Sequence, residues 1–344
     1  MSEPQEYEVV VVGGGPAGLT AALYTTRLGH DTAIINRGGG RAAMMRDTHN
    51  VIGITEDTSG NELLQTAIEQ VKGYGADYHR DFVTDAERLD DGRIRLEAGD
   101  VTAVTDRVVL ATGFSDGHPD PPVPRTGRGL HYCLHCDAYM FVDESVYVMG
   151  HGDSTAHVAM IMLNFTDEVD VLLDGDDPTW SDETDELVRA HPVDIVEEEV
   201  TGVENGEDGW LNALEFADGT RREYRGGFAM YGAEYNTDLA EQLGVEVNDD
   251  GTVAVDDHGN TSEDGVYAVG DIVPGHNQIP VAMGQGAKAG IDIHYDLRTF
   301  PMSVDEIEAR DGIDATDTPA VSDELRAHAA AHRGEDGGEA TADD

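Results

Sequence analysis

Three glycines in a fixed rhythm constrain this chain more than any other feature. Gly13, Gly15 and Gly18 lie between an apolar, β-branched run, Tyr7 to Gly13 (YEVVVVG), and a helical stretch, Leu19 to Leu28, closed by Gly29. Such a run suits a strand buried on both faces. The first glycine permits a tight turn and the second lets a pyrophosphate approach the backbone. The third lets helix and strand pack closely, with the phosphate at the helix N-terminus. A second strand, Asp31 to Asn36 (DTAIIN), completes one βαβ unit. Gly13, Gly15, Pro16, Ala17 and Gly18 are thus candidate dinucleotide contacts. Asn36 stands where a carboxylate normally holds the ribose hydroxyls, and its amide oxygen can accept the same bonds without charge.

The pattern then repeats. Arg107 to Leu110 (RVVL) is a buried strand entering Ala111-Thr112-Gly113. Pro119 to Pro124 reads as an extended linker and a domain crossing. Ser145 to Gly150 (SVYVMG) is a strand, and Gly150 to Asp153 (GHGD) is a second glycine turn. A helix over Ser154 to Phe165 and a strand over Val169 to Leu173 follow. A third strand, Gly265 to Val269, ends in Gly270-Asp271, and a helix spans about Val281 to Leu297. The fold class is therefore α/β with two Rossmann-like dinucleotide-binding domains. The first domain is discontinuous, residues 1–117 and 257–300, and the second, 118–256, is inserted in it. The acidic tail, 301–344, is expected to be mostly unstructured.

Charge excludes one class of partner. The chain has 70 acidic residues against 21 basic ones, a net charge of -49, and its only lysines are Lys72 and Lys288. Nucleic acid is not expected, because phosphate contacts need Lys and Arg. The acid is spread along the chain, which suits a high-salt cytoplasm where self-repulsion is screened. No signal peptide and no membrane span are expected, and a cytoplasmic location follows.

In a reducing compartment the two cysteines, Cys133 and Cys136, are not expected to be a structural staple. They are catalytic or metal-binding candidates. Two intervening residues let the sulfurs close a small disulfide ring, with one thiol readily made acidic. His131-x-Cys133-x-His135-Cys136 also offers N and S ligands, but structural zinc draws on two separated ligand pairs and no second Cys pair exists. No metal is expected, and His131 and His135 are assigned to tuning the thiols or to the surface. Met44, Met45, Met160, Met162 and Met283 are read as core filling.

Together, Gly13-x-Gly15-x-x-Gly18, Ala111-Thr112-Gly113 and Gly265-x-Tyr267-Ala268-x-Gly270-Asp271 resemble the signature segments of two-dinucleotide-binding-domain flavoproteins. Cys133-Leu134-His135-Cys136-Asp137, with Gly150 following 14 residues after Cys136, resembles the low-molecular-weight thioredoxin reductases. The resemblance covers roughly residues 7–300 and includes His49-Asn50-x-x-Gly53. It implies an FAD-dependent disulfide oxidoreductase whose smaller domain rotates about hinges near residues 119–124 and Asp257. It further implies a homodimer and a thioredoxin-like partner. Asp271 would bond the ribityl chain, and Asn50, Val83, Gln278 and Ile279 would lie near the flavin. Cys136 would face the isoalloxazine ring, Cys133 would attack the partner's disulfide, and Asp137 would protonate the leaving thiolate.

The second turn departs from the family. Gly150, Gly152 and Ser154 match nicotinamide-site positions, but the strand ends Leu173-Asp174-Gly175-Asp176-Asp177 where NADPH-dependent relatives carry a His-Arg-Arg cluster. Asp174 repels a 2′-phosphate and can bond a free 2′-hydroxyl. NADH over NADPH, or no nicotinamide at all, is the expectation, unless Arg221 or Arg222 compensates. Reduced ferredoxin is an alternative donor. Asn36 to Arg41 (NRGGGR), His49-Asn50 and Leu163 to Val171 resemble FAD-dependent dithiol oxidases that use oxygen. Those oxidases place His after the second Cys, so Asp137 favours the reductase. A non-catalytic flavin redox sensor is the third reading.

Overall fold

The computed structural model describes residues 4–119, 126–310, 312–314, 318 and 321–334. It divides into two compact units, Met1–Phe114 with Tyr235–Asp344, and Ser115–Glu234.

The first unit is built on a seven-stranded sheet. Four strands run parallel in the order Asp77–His79, Thr32–Ile35, Gln5–Val12, Thr102–Leu110. The long last strand serves two partners along its far edge. Its start pairs antiparallel with Ile94–Ala98, itself paired with Val83–Arg88, and its end pairs parallel with Val266–Ala268. Alternate residues of the central strand enter opposite cores. Val9 and Val11 pack with Leu19, Ala22, Ala282 and Ile293, while Val10 and Val12 pack with Leu239, Leu243 and Val253. A strand buried on both faces needs two layers of cover.

On one face the cover is the helices Pro16–Arg27 and Ile279–Leu297. They approach closely because residue 286 is glycine; a Cβ there would lie 2.1 Å from the Ala17 carbonyl oxygen. On the other face the cover includes residues 239–253. This corrects the expected return at residue 257. The chain re-enters the first unit at Tyr235.

The second unit holds a five-stranded parallel sheet in the order Asp194–Val196, Val169–Leu172, Val146–Met149, Gly226–Ala229, Leu130–His131. The helices Asp153–Met162 and Asp182–Ala190 contribute to one core with Phe141, Val148 and Phe228. The first of these helices ends at Met162, short of the expected Phe165. The opposite core joins Tyr147 and Met149 to Leu211 and Leu214, from the antiparallel sheet of Val200–Asn205, Leu211–Phe216 and Arg221–Glu223.

The expected linker lies outside the described residues from 120 to 124. Among its described residues the tail carries helices at Val304–Ala309 and Asp323–His332, where little structure was expected. Ser303 and Glu306 form a capping box on the first, and the Ser322 side chain caps the second. The His328 ring packs on Tyr74, 4.2 Å between centroids. The methionine expectation holds at Met162, which is fully buried, but Met44 and Met283 are exposed.

Candidate functional site

At the first glycine turn Gly13 has φ +111°, and its N–H donates to the Ile35 carbonyl at 2.9 Å. A Cβ on Gly13 would meet the Ala111 carbonyl oxygen at 2.2 Å, and one on Gly18 would meet the Gly13 carbonyl oxygen at 2.1 Å. Gly15 instead faces open space at the helix N-terminus. That end has no side-chain cap and no acid in its first turn, and Pro16 stands at its start. The helix dipole and free N–H groups leave a cradle for a diphosphate. These residues fit FAD.

The neighbouring expected contacts converge on this unit. The Asn36 amide oxygen accepts from Gly38 N–H at 3.2 Å, and its NH2 donates to the Tyr78 hydroxyl at 2.9 Å. Asn50 donates to the Gln278 amide oxygen at 2.6 Å, joining residues 228 positions apart. Gln278 stands at the N-cap of the helix that Ile279 begins. Gly270 N–H donates to the Gln285 side chain at 2.9 Å, while the Asp271 carboxylate lies 3.5 Å from the Arg41 guanidinium. Arg41 also covers the Phe114 ring at 4.5 Å. Val83 is buried in the sheet core.

Asn236 was not singled out from sequence, yet it stitches Ala111-Thr112-Gly113 in place. Its NH2 donates to the Thr112 carbonyl, its N–H donates to the Gly113 carbonyl, and the Thr112 hydroxyl donates to its carbonyl, all within 3.0 Å. No local pattern marks a residue whose partners lie more than 120 positions away.

In the second unit Cys133 and Cys136 form a disulfide with 5.3 Å between Cα atoms. Both are half-buried, His135 is exposed, and buried Leu134 anchors the short helix Leu134–Asp137. Cys136 N–H donates to Cys133 Sγ at 3.2 Å, a contact that strengthens when that sulfur is a thiolate. His131 is buried rather than on the surface, with Nδ1 2.7 Å from Asp137 Oδ2. Among the described residues no cluster of three or more His, Cys, Asp or Glu could hold a metal ion.

The second glycine turn has φ +138° at Gly150, an uncapped helix start after Gly152, and Ser154 exposed beside it. Asp153, the first helical residue, is drawn aside. The Thr184 hydroxyl and the Ser181 N–H hold its carboxyl below the usual range. Asp174 is left-handed, φ 56°, and accepts from Val200 N–H at 2.7 Å. Burial pushes its carboxyl up; the Val200 N–H opposes this, and the Glu199 and Asp176 carboxylates add to it. Arg221 pairs with Glu204 and Glu223, and Arg222 with Asp170 and Asp194.

The family described as pyridine nucleotide-disulphide oxidoreductase matches residues 7–286. The chain belongs to that family. The oxidoreductase is 29% identical over 314 residues to thioredoxin reductase of Bacillus subtilis strain 168, covering 86% of this chain and 96% of the relative. A crystal structure of thioredoxin reductase from Streptococcus pyogenes is 28% identical with a TM-score of 0.79, covering 87% of this chain and 100% of that one. The crystal structure titled HlmI is 27% identical with a TM-score of 0.78, covering 97% of this chain and 98% of that one. This protein is thus an FAD-dependent disulfide oxidoreductase of the thioredoxin-reductase-like type. Its redox disulfide is Cys133–Cys136, and the family's cofactors are FAD and NAD(P)H. Among the described residues no helix is long and apolar enough to cross a membrane.

Proposed function

We propose that the oxidoreductase passes electrons from a nicotinamide donor through FAD to Cys133–Cys136 and on to thioredoxin or a similar small disulfide protein. The observation that carries this reading is a closed, half-buried Cys pair with a carboxyl next in the chain. The turn at Gly13, Gly15 and Gly18 holds the pyrophosphate, Asn36 the ribose and Asp271 the ribityl chain. Bound FAD supplies two electrons at a time. Cys136 receives them, and Cys133 makes the exchange with the partner's disulfide. Asp137 supplies the proton for the departing sulfur. The acid around Asp174 selects NADH over NADPH, because a 2′-phosphate would meet carboxylates without a cation. We further propose a cytoplasmic homodimer adapted to high salt.

The test is anaerobic bleaching of the flavin in molar salt by NADH, NADPH, reduced ferredoxin or a dithiol, followed by thioredoxin reduction. NADH is expected to bleach it fastest, and Cys136→Ser to abolish thioredoxin reduction. Bleaching by a dithiol alone, with peroxide formed in air, would replace the reductase by the oxidase. Reduction once without turnover would replace it by the sensor.

A further inference from the structure

His131 is the most enclosed titratable group beside the redox pair. It ends the strand Leu130–His131, two residues before Cys133, and its side chain is 3% exposed. Phe141 meets its ring edge-on at 5.2 Å, Trp210 stacks on it at 6.2 Å, and Phe228 lies 6.0 Å away. Nδ1 is 2.7 Å from the Asp137 carboxylate, while Nε2 is buried with no hydrogen-bond partner among the described residues. Burying a polar nitrogen without a partner is unfavourable, so packing alone gives no reason for an imidazole here.

We infer that His131 and Asp137 form a coupled dyad that holds the proton used in disulfide exchange, with His131 as the positioning residue. This rests on the reading that Cys133–Cys136 exchanges with a disulfide substrate. An apolar cradle disfavours an isolated imidazolium and tolerates a pair carrying no net charge. One proton added to the pair takes it from a net charge of about -1 to neutral, wherever the proton resides. Other charged or titratable groups around the ring include Tyr132, half-buried next to it in the chain, and His135, Tyr139, Arg225 and Asp208. His135 and Tyr139 are exposed, and Arg225 lies on the Trp210 ring at 4.6 Å and pairs with Asp208 at 2.9 Å.

The exchange balances as follows. The Cys133 thiolate bonds to one substrate sulfur, the substrate S–S bond breaks, and its electron pair leaves on the other sulfur with the dyad's proton. Cys136 then gives its thiol proton to the dyad and attacks Cys133. The enzyme disulfide re-forms, and the first substrate sulfur leaves with that bond's electron pair and takes a proton from water. Two electrons have moved from the thiol–thiolate pair to the substrate; one proton comes from Cys136 through the dyad and the other from water, which received the Cys133 proton when that thiolate formed.

A change of leaving group tests this. Prereduced protein is mixed with 2-hydroxyethyl disulfide, whose alkyl thiolate needs a proton, or with 5,5′-dithiobis(2-nitrobenzoate), whose aryl thiolate leaves without one. His131→Asn retains a donor near the Nδ1 position but cannot titrate. It should slow the alkyl reaction about tenfold above neutral pH, a loss equivalent to one decade in rate. The aryl reaction should stay within about twofold of wild type. Asp137→Asn should mask the effect, so that the double variant is no slower than Asp137→Asn alone. Equal slowing of both substrates, no slowing, or full additivity overturns the inference. If His131→Asn loses its flavin, His131→Gln takes its place. These ratios need no thioredoxin, so failure of wild type to reduce thioredoxin strikes the proposed function and not the dyad.

Discussion

The two glycine turns share one backbone plan and differ in charge. Each follows a buried parallel strand and opens a helix whose N-terminus no side chain caps. Around the first, the strand end carries neutral Asn36, and the one expected carboxylate, Asp271, has Arg41 at 3.5 Å. Around the second, Asp174, Asp176 and Glu199 gather while Arg221 and Arg222 are held by other carboxylates. The difference teaches that backbone geometry makes a dinucleotide cradle, whereas side-chain charge decides which phosphates it tolerates. A helix N-terminus contributes about half a positive charge, too little to offset several carboxylates facing a doubly charged phosphate.

Breaking the first turn should have the largest effect. In Gly18→Ala the new Cβ meets a backbone oxygen at 2.1 Å, at a cost of about 3 kcal/mol. Purified protein should lack the flavin absorbance and melt early; full flavin content would refute the cradle. Gly150→Ala should be costly too, since its φ is +138° and its Cβ would lie 2.8 Å from the Met230 carbonyl oxygen. Here the protein should keep its flavin while nicotinamide turnover falls. Flavin loss in both variants would erase the distinction between the turns.

Charge comes next in size. Steady-state rates should favour NADH over NADPH about a hundredfold in kcat/KM, the equivalent of one or two charge-assisted hydrogen bonds. Asp176→Arg should narrow that ratio about tenfold by raising the NADPH rate. An unchanged ratio would show that the acid cluster does not reach the nucleotide.

The smallest effect concerns Asp174 itself. A carboxyl raised in the folded state adds stability only when protonated, and that contribution is lost as pH rises through its folded pKa. At pH 7 the ionised group is therefore a burden. Asp174→Asn keeps an acceptor for Val200 and should raise the melting point at pH 7 by a degree or two, under about 1 kcal/mol after water screening. The gain should disappear below about pH 3.8, the carboxyl's ordinary value. A constant gain at all pH values would mean that packing, not charge, is responsible.

Much of the fold was legible because its signals are local. A β-branched run, a glycine turn and an apolar helix lie within about thirty consecutive residues, so both βαβ units and the strands around them could be read directly. The return to the first unit could not. Residues 239–253 carry little periodicity, and they belong there because the face bearing Val10 and Val12 must be covered. The tail's acid suggested disorder, but local caps at Ser303 and Ser322 and the Tyr74–His328 contact give its helices anchors.

The same division runs through the site. By itself the sequence determined the flavin-type turn and the Cys133–Cys136 pair, which rest on residue type at a short spacing, and its resemblance to the thioredoxin reductases pointed to the missing 2′-phosphate cations. Only the tertiary structure decided that Arg221 and Arg222 are spent on other carboxylates, that Asn236 locks Thr112, and that His131 closes on Asp137. Hydrogen bonds and ion pairs act over about 3 Å, and chain separation says little about which groups come that close until the cores have packed.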